Sequence, residues 1–157
     1  MTTHTAPPVS VALTQLGIAH RVFRHTGPVH SLAEAAAARG QIPAQVVRSL
    51  LFRLAEDEYV MVLASGPDQI SWKALRRHLG RSRITMADRD EVRRVTGYEI
   101  GAVAPFGMPT PMPVLVDKRI PAQDEISMGS GERGVAVILA TAELMRGLGK
   151  AEVVEIA

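Results

Sequence analysis

Helix-forming patterns are concentrated in the first two-thirds of this sequence and strand-forming runs in the rest, without a regular alternation of the two. Four segments combine a polar capping residue or an apolar i, i+3, i+4 spacing with a glycine stop. These predicted helices cover residues 9–16, 31–39, 71–79 and 88–96. Strands are predicted at residues 21–24, 46–54, 59–64, 100–104, 114–117, 125–128, 135–139 and 151–156, with a further helix at 141–148. A doubly wound fold needs strands and helices in alternation, so this order predicts an α+β fold with a mixed, strongly curved sheet and helices packed outside it.

Two of the predicted strands form a hairpin. Residues 46–54 and 59–64 are apolar and β-branched, and the polar sequence Glu56-Asp57-Glu58 separates them. Arg48 lies in the first of these strands, between apolar neighbours. An arginine there either lies at a sheet edge with its charged end in solvent, or points its guanidinium into a cavity to meet a carboxylate or a phosphate. The local pattern supports both alternatives equally.

The chain is large enough for one hydrophobic core and contains no cysteine. Its 157 residues are 46% hydrophobic, which suits a single domain over residues 1–157 without disulfides or a structural metal. The lack of cysteine excludes disulfides, cysteine-zinc sites, iron–sulfur clusters and thiol nucleophiles, and it is typical of a reducing cytosol. No apolar run approaches the roughly 20 residues that span a bilayer, and residues 1–8 do not resemble a signal peptide. We therefore expect a cytoplasmic protein.

Common catalytic and cofactor motifs are missing from the sequence. It has no phosphate-binding G-x-x-x-x-G-K-[ST], no zinc-binding H-E-x-x-H and no nucleophile elbow G-x-S-x-G. Residues 129–134 match the letters of the dinucleotide fingerprint G-x-G-x-x-G, but a strand rather than a helix is predicted after them. No metal-site spacing relates the five histidines, which are His4, His20, His25, His30 and His78. We therefore expect neither a metal nor an organic cofactor.

Two glycine-containing segments late in the chain are candidates for a binding site. They are residues 97–107 and residues 127–134. Glycine permits positive φ and lets a ligand approach bare backbone N–H groups, which can hold an anionic or developing oxyanionic oxygen. The alternative is that these glycines form ordinary turns and helix ends. Spacing alone favours the turns.

Five short segments occur in a distinctive order along the chain. They are residues 45–52 (QVVRSLLF), 86–88 (MAD), 96–107 (TGYEIGAVAPFG), 112–117 (MPVLVD) and 129–134 (GSGERG). In this order they resemble the YbaK family, whose members are free-standing relatives of the insertion editing domain of bacterial prolyl-tRNA synthetase. The similarity covers about residues 10–150. It implies a partly barrel-like mixed sheet of about six to seven strands with flanking helices. It also implies a metal-free aminoacyl-tRNA deacylase that removes a wrong amino acid in trans.

The resemblance also implies a set of site residues. Arg48 and Gly101 occupy catalytic positions, with Arg48 on a phosphate of the terminal adenosine and the glycine loops presenting amides to the ester carbonyl. The implied substrate-binding positions are Ser49, Ser65, Ala102, Pro105, Phe106, Gly107, Gly129, Ser130, Gly131 and Arg133. Arg48 stands where the family has lysine, and it keeps the charge but cannot exchange a proton near neutrality. Ala102 stands where a second glycine is usual, so its Cβ narrows the pocket unless its φ is negative.

These departures leave the activity open between three alternatives. The first is an active deacylase whose substrate is the acceptor end of a mischarged tRNA. The second is a weakened or inactive module that binds tRNA or a nucleotide, which the changes at Arg48 and Ala102 favour. The third is a domain that works only when an aminoacyl-tRNA synthetase recruits it. Because one methylene is worth only about 1–3 kcal/mol of discrimination, synthetases charge small look-alikes, so a small amino acid is the expected target.

Residues 71–94 form a basic stretch that contains eight arginines and lysines but only three acidic residues. Four of them have the spacing of one helix face and are the candidates for binding tRNA: Lys73, Arg76, Arg77 and Arg81. A solvated helix surface is the commoner use of such a pattern, and a contact for acceptor-stem phosphates is the alternative. The single tryptophan, Trp72, is expected to pack in or over the core rather than to stack on a base.

Overall fold

The structure is a computed structural model that describes residues 5–157. Within that range five α-helices and eight β-strands follow one another along the chain. They are α1 (Pro8–Gln15), β1 (Arg21–Arg24), α2 (Leu32–Ala38), β2 (Val47–Ala55), β3 (Glu58–Ser65), α3 (Trp72–Leu79), β4 (Thr85–Met86), α4 (Arg89–Thr96), β5 (Val114–Asp117), β6 (Glu125–Gly129), β7 (Val135–Ala140), α5 (Thr141–Leu148) and β8 (Glu152–Val154). His4 lies outside the described residues.

The strands form two sheets. The larger has the order β4-β2-β3-β5-β8 and is mixed, because β2 and β3 are antiparallel whereas β5 runs parallel to both β3 and β8. The smaller is antiparallel, with the order β1-β7-β6. A parallel bridge between Val46 and Ser127 connects the two sheets. The α+β class is confirmed, but eight strands in two sheets replace the six to seven expected in one. The two-residue strand β4 carries no alternating pattern that would reveal it.

Local capping signals set the starts of α2, α3 and α4 as predicted. The Ser31 side chain accepts a hydrogen bond from the Glu34 N–H at the start of α2, and Ser71 does the same for the Ala74 N–H at α3. Asp88 forms a reciprocal capping box with the third residue of α4. Such bonds satisfy backbone donors that a helix start leaves free, which is why the sequence pattern is reliable.

The strand predicted at residues 100–104 is wrong. The segment is irregular, because Gly101 has φ +94° and the Ala102 N–H turns back to the Glu99 carbonyl at 2.9 Å. A backbone that bends at glycine in this way cannot continue a ladder of strand hydrogen bonds. The apolar run that suggested a strand is instead a buried loop, with Ala102, Val103 and Ala104 all inaccessible to solvent or nearly so.

The two faces of the β2–β3 hairpin pack into separate hydrophobic clusters. Successive side chains of a strand point to opposite faces, so Val47 and Leu51 enter the larger cluster, while Phe52 enters the smaller one. Trp72 packs edge-on against Phe52, with ring centres 5.2 Å apart. This agrees with the prediction that Trp72 packs in or over the core. Among residues 5–157, no helix combines the length and apolar character that crossing a bilayer needs.

Candidate functional site

A cavity of about 730 Å³ opens between the two sheets. Its walls come from residues 46–51, the turn before α2, the segment between β4 and the middle of α4, the loop around Gly101 and the two ends of the segment 128–135. Of the five segments that carry the family resemblance, those around Arg48, Met86, Gly101 and Gly129 all contribute to it. The volume falls within the range of small-molecule sites.

One wall of the cavity is the part of the β2 edge that no described strand pairs. The partner strand β4 reaches only Phe52 and Arg53, and the Leu51 carbonyl accepts the Ala87 N–H on this edge at 3.0 Å. Main-chain groups alternate between the two edges of a strand, so those of Ser49 also face this side. The Ser49 hydroxyl is buried and has no hydrogen-bond partner among residues 5–157. A buried polar atom without a partner costs free energy unless a ligand or water satisfies it.

Two loops meet at the opposite wall, where Gly101 and Gly129 both line the cavity. Within residues 5–157 no hydrogen bond uses the Gly101 N–H, so this donor is available. Gly129 lies so close to the other loop that a Cβ there would be 2.5 Å from the Val103 carbonyl oxygen. Ala102 is buried with an ordinary φ and does not line the cavity, so its Cβ does not narrow the pocket.

Tyr98 holds these two loops together from behind the cavity. Its hydroxyl donates to the Phe106 carbonyl at 2.5 Å, and burial raises the pKa of Tyr98. A Cβ added to Gly131 would be 2.8 Å from the Tyr98 ring, and one added to Gly107 would collide with the Tyr98 hydroxyl. Both glycines have positive φ. Gly107, Gly131 and Phe106 therefore build the loop around Tyr98 and do not line the cavity.

Arg48 lines the cavity, but its guanidinium is held by main-chain carbonyls. Its Nε donates to the Gly66 carbonyl at 2.7 Å and its Nη2 to the Asp68 carbonyl at 2.5 Å. By strand alternation its side chain leaves β2 on the face of Phe52, opposite to Val47. Burial and then the charge of Arg119 lower the pKa of Arg48, against the opposing charges of Asp68 and Asp117.

The buried carboxylate of Asp117 organises the loop beside Arg48. It accepts the Ser65 N–H at 3.1 Å and a bidentate contact from Arg119. Burial alone would favour the neutral acid, but these hydrogen bonds outweigh it and hold the pKa of Asp117 below its usual value. The Ser65 hydroxyl donates to the Ala44 carbonyl at 2.7 Å. Ser65 thus serves the loop and does not reach the cavity.

The cavity brings together five of the predicted site residues: Arg48, Ser49, Gly101, Gly129 and Arg133. The predicted positions outside its lining are Ser65, Ala102, Pro105, Phe106, Gly107, Ser130 and Gly131. The Ser130 hydroxyl is within hydrogen-bond distance of the Glu132 and Val135 carbonyls and closes the turn before β7.

The basic residues predicted to bind tRNA lie apart from the cavity. Lys73, Arg76 and Arg77 belong to α3, Arg81 follows it, and none of the four lines the cavity. Arg81 forms an ion pair with Glu58. Their role in binding tRNA remains a prediction.

Two cavity residues were missed by sequence reasoning. Arg39 ends α2 and donates from Nε to His25 Nε2 at 3.2 Å and from Nη1 to the Ser127 hydroxyl at 2.9 Å. Arg39 and His25 both line the cavity. Burial lowers the pKa of Arg39, and burial together with the charge of Arg39 lowers the pKa of His25. An arginine at a helix end and a lone histidine carry no signal in the sequence. In residues 5–157 no three His, Asp or Glu side chains are grouped closely enough to hold a metal ion.

Residues 26–146 match the family model described as an aminoacyl-tRNA editing domain. The chain is 28% identical over 107 residues to the proline–tRNA ligase of Levilactobacillus brevis and 29% identical over 108 residues to that of Trichlorobacter lovleyi. These matches cover 68% and 69% of this chain, but only 19% of each ligase, so the chain spans about a fifth of the length of the curated relatives it matches.

Solved structures share the fold over nearly the whole chain. A candidate trans-editing enzyme for prolyl tRNA synthetase has a TM-score of 0.88 at 28% identity, over 99% of this chain and 98% of that one. A hypothetical protein at 23% identity has a TM-score of 0.84 over 95% of this chain and 98% of its own. The second likeness concerns the fold alone.

Proposed function

The chain belongs to the aminoacyl-tRNA editing domain family, and we propose that it is a trans-acting deacylase that hydrolyses the ester of a mischarged tRNA. In this reaction the oxygen of water forms a bond to the ester carbonyl carbon, and the bond from that carbon to the ribose oxygen breaks. The water loses a proton, and the ribose oxygen gains one. The products are the free amino acid and a tRNA with its terminal hydroxyl restored.

The observation that carries this proposal is that two residues lining one cavity each have a hydrogen-bonding group without a partner in the described chain. The Ser49 hydroxyl is buried without a partner, and the Gly101 N–H is free within the described chain. An amide donor aimed at a developing oxyanion contributes about 2.7–4 kcal/mol where it has been measured. An aminoacyl ester is already reactive, so positioning and one such donor supply much of the acceleration without a metal or a covalent nucleophile.

The inner wall of the cavity supports a small amino acid as the target. Leu51, Val103 and Met128 line it and belong to the larger hydrophobic cluster. An added methylene in such a pocket changes binding by about 1–3 kcal/mol, so a tightly packed apolar wall separates small side chains from larger ones. The Ser49 hydroxyl then binds a polar group of the aminoacyl ester.

The proposed partner is the acceptor end of tRNA, brought either directly or through an aminoacyl-tRNA synthetase. The relatives that match in sequence are proline–tRNA ligases, which supports an association of this kind. The acceptor end is single-stranded, so phosphate contacts and base stacking recognise it rather than groove reading. The exposed side chains of Lys73 and Arg77 are available for phosphates of the stem.

The test is a time course of deacylation with purified protein and a panel of tRNAs, each charged with a small amino acid that does not belong to it. We expect at least one ester to disappear faster than in buffer. The Ser49→Ala variant removes only the unpartnered hydroxyl and should slow that reaction. The Arg48→Ala variant tests whether this guanidinium also takes part, as the resemblance implies.

Persistence of every ester at micromolar protein would contradict a deacylase. It would favour a binding module of the same fold, for which the engagement of Arg48 by two carbonyls is the supporting observation. Repeating the series with a prolyl-tRNA synthetase present would test whether activity depends on recruitment.

A further inference from the structure

Three arginines line the cavity, and they differ in what balances their charge. Arg133 lies at the surface with Glu99 at 3.5 Å. Arg48 lies in a cluster with Arg119, Asp68 and Asp117, where two positive and two negative charges balance. Arg39 contacts His25 and Ser127, which are both neutral partners. Within residues 5–157, no carboxylate oxygen lies within 4.0 Å of the Arg39 guanidinium.

A partly buried cation without a counter-charge is unfavourable. Charged groups removed from water are normally paired with an opposite charge or a ligand, and burial lowers the pKa of Arg39 without an opposing carboxylate. An anion that enters the cavity would remove this cost. An anion would therefore gain more binding free energy beside Arg39 than beside the other two arginines of the cavity.

The neighbours of Arg39 fix the guanidinium and leave part of it free. The Ser127 hydroxyl donates to Gln41 Oε1 at 2.7 Å, so it accepts from Arg39. His25 Nε2 also accepts, which requires the neutral imidazole, and the lowered pKa of His25 agrees with that state. A guanidinium has five N–H donors, of which these contacts use two. The remaining donors can take two oxygens of one anion in bidentate fashion.

We propose that Arg39 binds a phosphate of the terminal nucleotide of the substrate. The inference rests on the proposed function for the identity of the ligand, because an aminoacyl ester has no free carboxylate and the phosphates are its anions. It assigns to Arg39, rather than to Arg48, the main phosphate contact of the cavity. Ser127 and His25 act as positioning residues that hold the guanidinium.

The first experiment measures binding of adenosine 5′-monophosphate and of adenosine by calorimetry. The wild-type protein should bind the monophosphate more tightly than the nucleoside. The Arg39→Gln variant should weaken monophosphate binding about 10- to 100-fold and leave adenosine binding unchanged. The Arg39→Lys variant keeps the charge and should lose less affinity for the monophosphate. The Ser127→Ala variant should weaken monophosphate binding by a smaller factor than Arg39→Gln does. The matched control is Arg146→Gln, which removes an exposed arginine paired with Glu143 and should change neither ligand.

Several outcomes would overturn the proposal. The wild type could bind the two ligands equally or fail to bind the monophosphate. The affinity of Arg39→Gln for the monophosphate could equal that of the wild type. The Arg48→Gln variant could also lose more monophosphate affinity than Arg39→Gln does. A parallel loss of adenosine binding in Arg39→Gln would indicate a collapsed cavity and would also contradict the assignment. None of these measurements needs hydrolysis, so the proposal can fail or succeed independently of the deacylase activity.

A second arm identifies the source of the phosphate. For an active protein, Arg39→Gln should lower kcat/KM for the mischarged tRNA through KM, while hydrolysis of aminoacyl-adenosine, which has no phosphate, stays at the wild-type rate. An equal fall in kcat for both substrates would assign Arg39 to the oxyanion and overturn the phosphate contact. Loss of monophosphate binding with unchanged tRNA deacylation would mean that the site takes a free nucleotide, which contradicts the proposal in its present form.

Discussion

The close approach of Gly129 to the neighbouring loop predicts a large effect for Gly129→Ala. The new Cβ would lie 2.5–2.8 Å from three backbone atoms of Ala102 and Val103, whereas ordinary contact begins at 3.4 Å. The loop must therefore retreat by roughly 0.9 Å at its nearest point. Because the obstacle is backbone rather than a flexible side chain, we expect the overpacking to cost about 1–3 kcal/mol of unfolding free energy. For a chain of this size that corresponds to a Tm lowered by about 2–12 °C.

The same displacement moves Gly101, which belongs to the displaced loop and lines the cavity. A misplacement of about 1 Å in a catalytic arrangement costs on the order of 100-fold in rate, so kcat/KM for deacylation should fall by about that factor. Stability is measured by thermal and denaturant unfolding, and activity by the time course described above.

The control for stability is Gly27→Ala. In the described part of the chain no heavy atom lies within 4 Å of the Cβ that it would add, and Gly27 does not have positive φ. This variant should be as stable as the wild type or more stable by about 0.4–1 kcal/mol, because alanine restricts the unfolded chain. If Gly129→Ala unfolds at the wild-type temperature, the two loops are not packed as tightly as the structure indicates, and the argument for both effects fails.

Three further predictions concern other parts of the molecule. Tyr98→Phe leaves the buried Phe106 carbonyl without its donor and should lower the unfolding free energy by about 1–3 kcal/mol, measured by denaturant titration; an unchanged midpoint would mean that the bond contributes nothing. The pKa of His25 is lowered in the folded state, so the unfolded chain takes up the proton first as the pH falls below about 6.5. Stability should therefore decrease with acidification from that point, and the decrease should be smaller in His25→Asn; identical pH profiles would contradict this. The double variant Arg76→Glu and Arg77→Glu should weaken tRNA binding and flatten its dependence on salt, and an unaltered salt slope would mean that α3 does not contact phosphates.

Sequence reasoning identified the elements whose formation depends on neighbours in the chain. The helices begin at Ser31, Ser71 and Asp88 because those side chains cap backbone donors three residues away. The family resemblance, carried by five segments of which four contribute to the cavity, is confirmed by the match over residues 26–146. The helix caps depend on residues close together in the chain, and the resemblance depends on the order of short segments along it, so both can be read from the sequence.

The sequence could not reveal features that depend on distant residues. The run at 100–104 has strand-like composition, but tertiary burial and the bend at Gly101 make it a loop. Arg39 and Ser127 are 88 positions apart and meet only through folding. Conversely, Ser65 matched a family position, yet its hydroxyl is used by the Ala44 carbonyl. Motif matching identifies the region of a site, whereas the partners of each polar group decide which residue is available.

The unpaired part of the β2 edge has a consequence for how such a protein can evolve. An unpaired strand border is a template on which another chain can add a strand, and proteins commonly cover or charge it for that reason. Here the loop bearing Gly101 and the turn ahead of α2 line the same cavity as this edge, so these segments both shape the pocket and limit the access of another chain to the edge. In the proposed deacylase, mutations that move these segments away to admit a bulkier amino acid would expose the edge. Substrate range and solubility should therefore trade against each other, and promiscuous variants are expected to be the ones that aggregate.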